Sequence, residues 1–239
     1  MSAAAGRLQG RIALVTGASR GIGRAVARRF ALEGAHVIAL ARTQGGLEEL
    51  DDEIRGLGGQ ATLVVADLAD FPAIDRIGGA VHERFRRLDV LVGNAAQLGP
   101  VTPLVHAAPE AWERTIGLNL TANWRLIRSF DPLLRQSDSG RAVFVTSGLA
   151  RAATAYFGPY AASKAALETL VLTYAAETAK TKIRANLISP GIVRTRLRAE
   201  AFPGEDPKTV RPPESVTDIF VELASASCRR HGEVVAVGG

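Results

Sequence analysis

Two side chains four residues apart, Tyr160 and Lys164 in the stretch YAASK, could move a proton. On a helix this spacing puts the phenol and the ammonium on one face, where the positive charge favours the phenolate and lowers the tyrosine pKa. A tyrosine tuned in this way can serve as a general acid or base. Ser147 ends an apolar run earlier in the chain, and its hydroxyl could reach a substrate oxygen. Together the three residues predict proton transfer at an oxygen atom.

A glycine-rich turn lies near the N-terminus, in TGASRGIG at residues 16–23. It follows an apolar run and precedes an amphipathic stretch, so we expect it to connect a strand to a helix. Glycines there let the backbone approach a pyrophosphate, and the amides of the helix N-terminus would bind its charge. The G-x-x-x-G-x-G spacing differs from the commoner G-x-G-x-x-G fingerprint. Its position still predicts a phosphate-binding turn.

The end of the second predicted strand indicates which dinucleotide would bind. An acid about 20 residues past the glycines would bind the ribose 2′-hydroxyl of NAD(H), but the residues here are Ala41 and Arg42. Arg42 and Arg20 could instead hold the 2′-phosphate of NADP(H) through bidentate contacts. Either arginine alone could be an ordinary surface residue. The pair predicts that NADP(H) is preferred over NAD(H).

These candidates lie at the ends of alternating strand-like and helix-like segments, which is typical of repeated βα units. Runs such as IALV, VIAL and AVFV are apolar at every position, as in strands covered by helices on both faces. The predicted strands are 11–16, 36–41, 60–66, 88–93, 141–146, 182–188 and 233–237. The predicted helices are 22–33, 45–57, 71–86, 109–135, 159–179 and 213–225. The pattern predicts an α/β, doubly wound (Rossmann) seven-stranded parallel sheet.

Size and composition favour a single domain over residues 1–239. Of these residues 47% are hydrophobic and 22% charged, which excludes a disordered or fibrous protein. Cys228 is the only cysteine, so an internal disulfide is excluded and a reducing, cytoplasmic location is expected. The four histidines are scattered, and no metal site is predicted. No stretch is long and apolar enough to predict a membrane span.

The net charge of +5 raises the question of a nucleic-acid partner. Basic residues are spread along the chain with acids between them, and no basic run is longer than a pair. We therefore predict an arginine-rich solvated surface and no nucleic acid, with a nucleic-acid binder as the weakest alternative.

One segment, residues 196–213, is rich in proline, glycine and charge and separates the sixth strand from the last helix. A loop at the carboxyl edge of a parallel sheet would lie over the ligand crevice. We interpret residues 196–213 as a short substrate lid, hereafter the lid segment. A simple surface connection is the alternative.

These motifs, taken in order, resemble the short-chain dehydrogenase/reductase (SDR) superfamily, and the resemblance runs from Gly10 to Gly239. AFPGEDP at 201–207 is similar to a bacterial YciK-like subgroup. The resemblance implies hydride transfer between NADP(H) and a small molecule, interconverting a ketone and a secondary alcohol. The matching stretches are TGASRGIG, Asp67-Leu68, Gly93-Asn94-Ala95-Ala96, Asn119 in GLNLTAN, Ser147 in VTSG, YAASK and SPGIVRT at 189–195.

The resemblance implies roles for four catalytic residues. Tyr160 would protonate the carbonyl oxygen in reduction, or take the alcohol proton in oxidation, while Ser147 hydrogen-bonds that oxygen. Lys164 would lower the tyrosine pKa and hold the nicotinamide ribose. Asn119 would anchor a water that links Lys164 to solvent.

The resemblance also implies cofactor contacts. Asp67 and Leu68 would contact the adenine, Asn94 the adenosine ribose region, and Ile192 with Thr195 the nicotinamide carboxamide. Gly93 and Ala96 depart from the family's usual Asn-Asn-Ala-Gly, which removes one side-chain hydrogen bond and adds a methyl group. The full implied set is Gly17, Ser19, Arg20, Gly21, Ile22, Gly23, Arg42, Asp67, Leu68, Asn94, Ala95, Tyr160, Lys164, Pro190, Gly191, Ile192 and Thr195.

Substrate contacts are expected from Leu149, Arg151, Phe157 and the lid segment. Arg151 and Arg196 could favour an acidic or phosphorylated substrate, or could simply face water. The main alternative function is a catalytically idle dinucleotide-binding regulator or scaffold, which would have no chemical need for the complete catalytic set.

The family usually forms dimers or tetramers, so the resemblance implies a homodimer or homotetramer. The helices concerned would be those predicted near 159–179 and 213–225. Apolar residues there could supply the contact or could face the core, since both look alike in sequence. They are Leu167, Leu170, Val171 and Tyr174.

Overall fold

Short apolar runs form seven parallel strands in the part of the chain that the computed structural model describes, residues 6–238. The sheet order is β3-β2-β1-β4-β5-β6-β7, so the chain winds outward in both directions from β1. This confirms the predicted doubly wound parallel sheet. The strands are β1 Ile12–Thr16, β2 His36–Ala41, β3 Gln60–Val65, β4 Val90–Gly93, β5 Arg141–Val145, β6 Arg184–Ser189 and β7 Val234–Ala236.

Amphipathic stretches between the strands form the helices that cover both faces of the sheet. They are α1 Gly21–Leu32, α2 Gln44–Gly56, α3 Phe71–Phe85, α4 Pro109–Ile116, α5 Ala122–Arg135, α6 Gly158–Thr178, α7 Arg196–Ala201 and α8 Thr217–Ala224.

Successive strand residues point to opposite faces and so feed two separate cores. Ala13 and Val15 of β1 pack with α1, α2 and α8 on one face. Leu14, between them, packs with α3, α5 and α6 on the other. Because both faces are covered, most interior strand positions are apolar, which explains the continuous apolar runs in the sequence.

The apolar stripe of α6 faces this second core. Leu167 and Val171 have no exposed surface and Tyr174 is 6% exposed, and all three pack under the sheet. Leu170 is partly buried against the same cluster. These residues therefore stabilise the subunit itself rather than forming a free apolar face.

Two elements differ from the sequence-based expectation. The predicted helix 109–135 is interrupted by a π-helical turn, Gly117–Thr121, which separates α4 from α5 and contains Asn119. The lid segment begins with a helix, α7, that was expected to be loop. Thr195 caps α7 by accepting a hydrogen bond from the Arg198 amide (3.1 Å), and the prolines of the segment all lie beyond its end.

The predicted helix 213–225 is shorter in the structure. A 3₁₀ turn, Pro213–Val216, precedes α8, which begins at Thr217. No helix within residues 6–238 is long and apolar enough to cross a membrane.

Candidate active site

A cavity of about 670 Å³ opens at the carboxyl ends of the strands, where the sheet order reverses between β1 and β4. This is the position at which doubly wound sheets bind ligands. Of the residues predicted for the site, Gly23 and Asn119 do not line the cavity. Those that line it are Gly17, Ser19, Arg20, Gly21, Ile22, Arg42, Asp67, Leu68, Asn94, Ala95, Ser147, Tyr160, Lys164, Pro190, Gly191, Ile192 and Thr195.

The glycine-rich turn connects β1 to α1 at one end of the cavity. Gly17 and Gly21 have φ angles of +67° and +57°, a left-handed backbone that favours glycine. A side chain at Gly23 would place its Cβ 2.3 Å from the Gly17 carbonyl oxygen, so Gly23 allows the helix to pack closely behind the turn. No side chain caps the first amides of α1. These amides therefore remain free for an anion, as a bound pyrophosphate requires.

Thr16 and Asn94 join the turns that follow β1 and β4. The Thr16 hydroxyl accepts hydrogen bonds from the amides of Asn94 (2.9 Å) and Ala95 (3.1 Å) and donates one to the Val92 carbonyl. The Asn94 side-chain amide in turn donates to the Thr16 carbonyl (2.8 Å). Asn94 thus lines the cavity while fixing its wall. No motif in the sequence pointed to this role for Thr16. A β-branched hydroxyl residue at a strand end, just before the glycines, is the signal that could have indicated it.

Gly93 departs from the family's usual asparagine for a packing reason. A Cβ at this position would lie 2.3 Å from the Phe144 ring and 2.5 Å from Oδ1 of Asn123. The space that a larger side chain would need is therefore filled by the core of this protein. Ala96 lines the cavity with its small methyl group.

The cavity end nearest β2 carries two exposed arginines. Arg42 follows β2, and its Nη1 lies 3.5 Å from Oδ2 of Asp67 after β3. The Arg42 side chain is 62% exposed, so this is a weak surface pair. Arg20, on the glycine-rich turn, is also exposed. Both arginines line the cavity, and the bond from Arg42 to Asp67 is an exposed one.

Tyr160 and Lys164 lie one helical turn apart on α6 and face the ends of β5 and β6. Lys164 is buried, donates a hydrogen bond to the Val145 carbonyl (2.8 Å), and has its Nζ 5.7 Å from the centre of the Tyr160 ring. Ser147 follows β5, and its hydroxyl accepts a hydrogen bond from the Leu149 amide (3.2 Å). The strand and the helix thus bring the three residues into one wall of the cavity.

Burial sets the proton affinities of this group. It raises the pKa of Tyr160 to about 12, and the Ser147 hydroxyl acts in the opposite direction and lowers it. Burial also lowers the pKa of Lys164 to about 8. The sequence predicted a lowered tyrosine pKa, but desolvation of the phenolate is the larger effect here and outweighs the hydrogen bond from Ser147. Near neutral pH the phenol therefore holds its proton.

Asn119 lies behind the cavity wall with every side-chain group satisfied. Its Oδ1 accepts from the Gln97 amide (2.9 Å), and its Nδ2 donates to the Gln97 carbonyl (2.9 Å) and to the Ser163 hydroxyl (3.0 Å). The π-helical turn projects this side chain into the gap between the loop after β4 and α6. Asn119 thereby ties Gln97 to the helix that carries Tyr160.

Residues 190–195 after β6 also line the cavity, and their C-terminal end lies next to the glycine-rich turn. Gly191 turns the chain with a φ of +70°, and Thr195 caps α7 while its methyl group lies beside Gly21. Arg211, beyond the lid segment's helix, donates hydrogen bonds to the carbonyls of Ile192 (3.1 Å) and Pro190. Nothing in the sequence pattern pointed to this role for Arg211.

The other end of the cavity is apolar and includes the lid segment. Leu98, Phe157 and Tyr160 form a small buried cluster. Leu149 packs against it from the loop after β5, and Leu197 packs against it from α7. As predicted, Leu149 and Phe157 line the cavity, together with part of the lid segment; Arg151 is not among the lining residues.

Comparison with known proteins gives the same class as the fold and the site. A family model described as short chain dehydrogenase matches residues 11–206. The uncharacterized oxidoreductase YciK of Escherichia coli (strain K12) is 36% identical over 226 residues, covering 93% of this chain and 89% of that protein. An uncharacterized NAD-dependent oxidoreductase of Mycobacterium tuberculosis (strain CDC 1551 / Oshkosh) is also 36% identical, covering 94% of this chain and 92% of that one.

A short chain dehydrogenase of Shigella flexneri 2a str. 301, solved in complex with NADP, superposes with a TM-score of 0.92 at 35% sequence identity. The match covers 96% of this chain and 98% of that structure. The protein therefore belongs to the short chain dehydrogenase family of oxidoreductases. Its similarity to YciK confirms the subgroup resemblance found in the sequence.

Proposed function

We propose that the protein is an NADP(H)-dependent oxidoreductase that interconverts a ketone and a secondary alcohol, with Tyr160 as the general acid or base. The observation that carries the proposal is the shared cavity. Tyr160, Lys164 and Ser147 line the same cavity as the glycine-rich turn, so a dinucleotide on the turn would extend toward the phenol.

The residues present fit NADP(H). The backbone at Gly17 and Gly21 and the uncapped amides of α1 suit a pyrophosphate, and Arg20 with Arg42 suits a 2′-phosphate. When bound, the reduced cofactor would supply the hydride that reduces the carbonyl carbon. The relative from Shigella flexneri is described as complexed with NADP, whereas the Mycobacterium relative is named NAD-dependent. The arginines favour NADP(H) for this chain.

In reduction, Tyr160 gives its proton to the carbonyl oxygen, and the C=O group becomes CH–OH. The raised pKa suits this direction, because the phenol is protonated at neutral pH and can donate. The Ser147 hydroxyl lies beside the phenol and can hydrogen-bond the same substrate oxygen. Lys164, protonated below about pH 8, provides a buried positive charge that stabilises the phenolate as it forms.

Asn119 is proposed to act through position rather than by contact with substrate. Its hydrogen bonds hold Gln97 and Ser163, and these flank the wall that carries Tyr160. We propose that the lid segment covers the substrate end of the cavity. A homodimeric or homotetrameric state and a cytoplasmic location remain predictions; light scattering after size exclusion tests the first.

Tyr160→Phe tests the catalytic assignment. It removes only the hydroxyl, so we expect NADPH binding by fluorescence titration to stay within about twofold and turnover to fall by a factor of about 10² or more. Full turnover in this variant would end the assignment of Tyr160 as the acid. If the parent protein binds NADPH but turns over no compound on a broad carbonyl panel, the result would instead favour the idle regulator.

Arg42→Asp tests the cofactor preference, because a carboxylate at this position repels a 2′-phosphate and can accept a bond from a 2′-hydroxyl. We expect the ratio of NADPH to NADH affinity to fall by about tenfold or more. Arg42 pairs only weakly with Asp67 on the surface, so the fold should not be affected. Unchanged selectivity would move the phosphate contact to Arg20.

A further inference from the structure

Apolar side chains form one continuous wall at the substrate end of the cavity, with the charged residues Arg196, Arg198 and Glu200 of α7 also lining it. Four elements contribute the apolar side chains, namely the loops after β4 and β5, the start of α6, and the lid segment. Tyr160 itself is only 7% exposed within this cluster. The apolar lining residues are Leu98, Leu149, Phe157, Leu197, Ala201 and Phe202.

Two of these residues form an aromatic wall. The rings of Phe157, before α6, and Phe202, at the end of α7, stack with their centres 5.9 Å apart and an interplanar angle of 28°. Phe157 is buried, whereas Phe202 is 41% exposed, so one edge of the pair remains open. Phe202 is also covered on one side by the Arg198 guanidinium, 3.7 Å from its ring centre. An aryl group could pack against the open part of this wall.

The charged groups at this end are already paired within the chain. Arg196 bonds Glu200 one helical turn later (2.8 Å). Arg198 makes two hydrogen bonds to the Glu205 carboxylate (2.7 and 2.6 Å). At either arginine, a substrate anion would therefore compete with a carboxylate of the protein that already balances the charge.

Arg151, the other arginine expected near the substrate, is also occupied. Its Nε donates to Oε2 of Glu168 on α6 (2.9 Å), and Oε1 of the same carboxylate accepts from the Thr146 hydroxyl (2.9 Å). Glu168 is only 8% exposed, so Arg151 neutralises a buried negative charge. The earlier possibility that Arg151 and Arg196 select an acidic substrate is therefore not supported by their contacts.

A carboxylate or phosphate in this pocket would lose part of its hydration and meet arginines whose charge is already balanced by Glu200 and Glu205, which is costly beside an apolar wall. We propose that the substrate is an uncharged ketone carrying an aryl or similarly bulky apolar group, or the corresponding secondary alcohol. This rests on the proposed function, because it names the substrate class of the same site. The carbonyl lies at Tyr160 and Ser147, and the apolar group lies against Phe157 and Phe202.

Binding of a non-reacting alcohol to the NADPH complex tests this class without requiring turnover. The full-length protein saturated with NADPH is titrated by calorimetry with 1-phenylethanol and with the same alcohol carrying a para-carboxylate. We expect the neutral alcohol to bind about tenfold more tightly or better. Equal or tighter binding of the carboxylate, or no binding of the neutral alcohol, would overturn the proposal.

Two variants locate the effect in the pocket. Phe202→Ala, at a partly exposed position, should weaken 1-phenylethanol binding by about tenfold because it removes half of the aromatic wall. Lys208→Gln, at an exposed position of the same segment outside the cavity, is the matched control and should change neither alcohol's affinity. Loss of carboxylate binding in Arg196→Gln together with no effect of Phe202→Ala would assign the pocket to anions instead. NADPH affinity, measured for each variant, verifies that it is folded.

Turnover separates this proposal from the one on which it rests. If the neutral alcohol binds as expected but aryl ketones cause no NADPH oxidation, the substrate-class inference stands and the assigned activity fails. If NADPH is oxidised by keto acids and not by neutral aryl ketones, the activity stands and the substrate class is wrong.

Discussion

Replacing Lys164 with methionine should abolish turnover and yet stabilise the protein. Lys164 is 2% exposed, and its ammonium has one protein partner, the Val145 carbonyl. Burial lowers its pKa from 10.5 to about 8. Since one unit of pKa corresponds to about 1.4 kcal/mol, the buried charge costs the folded state about 3 kcal/mol at pH 7. Methionine keeps most of the side-chain volume and carries no charge.

The expected gain has a distinct pH dependence. The folded pKa lies below the unfolded one, so the unfolded chain binds the proton more tightly, and stability rises with pH between about 8 and 10.5. The penalty is complete below pH 8 and shrinks above it. Removing the bond to Val145 costs about 1 kcal/mol at every pH. Lys164→Met should therefore gain about 2 kcal/mol at pH 7 and about 1 kcal/mol at pH 9.

Urea unfolding of the parent protein and the variant at pH 7 and pH 9 measures both values, and Lys180→Met, at an exposed position, serves as the control. Comparing the two proteins at each pH cancels the titration of all other groups. The control should show no significant change in stability at either pH. A stability difference for Lys164→Met that is the same at both pH values would refute the argument, because burial of the charge would then not be its source. A loss of stability at pH 7 would refute it as well.

Two further predictions concern proton transfer and the core. Initial rates of alcohol oxidation should rise between pH 7 and 9, by up to about tenfold per pH unit, because oxidation needs the phenolate of Tyr160 and the pKa of this phenol is about 12. The rate of ketone reduction should not rise over the same range. A flat pH profile for oxidation would argue against Tyr160 as the base. Arg141→Met should lower the free energy of unfolding by about 3 kcal/mol in urea, because the buried guanidinium binds the carbonyls of Ser225, Ala226 and Cys228 at 3.0, 2.7 and 3.1 Å. Arg76→Met, at an exposed ion pair, is its control, and an equal loss there would contradict the role of burial.

The sheet and the catalytic wall were predictable because each has a local signal. Continuous apolar runs give the strands of a covered parallel sheet, and the four-residue spacing of Tyr160 and Lys164 gives their common helical face. The glycine-rich turn was predictable for the same reason, because the glycines that adopt a left-handed backbone come directly after the first strand. These features depend on neighbours in sequence.

The remaining features depend on contacts between distant segments. Thr16 binds Asn94 across adjacent strands, and Arg211, near the C-terminal end of the lid segment, holds the loop after β6. No periodicity in the sequence predicts the π-helical turn at Asn119. The Asn119 side chain is held by hydrogen bonds to Gln97 and Ser163, which are distant in the sequence. No spacing rule in a single sequence encodes such pairings.

The sign of the Tyr160 pKa change is the clearest case of this limit. Spacing on α6 correctly places an ammonium beside the phenol, and a nearby positive charge alone would lower its pKa. Folding then removes both groups from water, and the cost of desolvation raises the pKa of the tyrosine while lowering that of the lysine. Each group thus becomes easier to hold in its neutral form. In the proposed reaction, such a site would donate a proton from Tyr160 as negative charge develops on a carbonyl oxygen, and the same burial makes Lys164 a cost to stability.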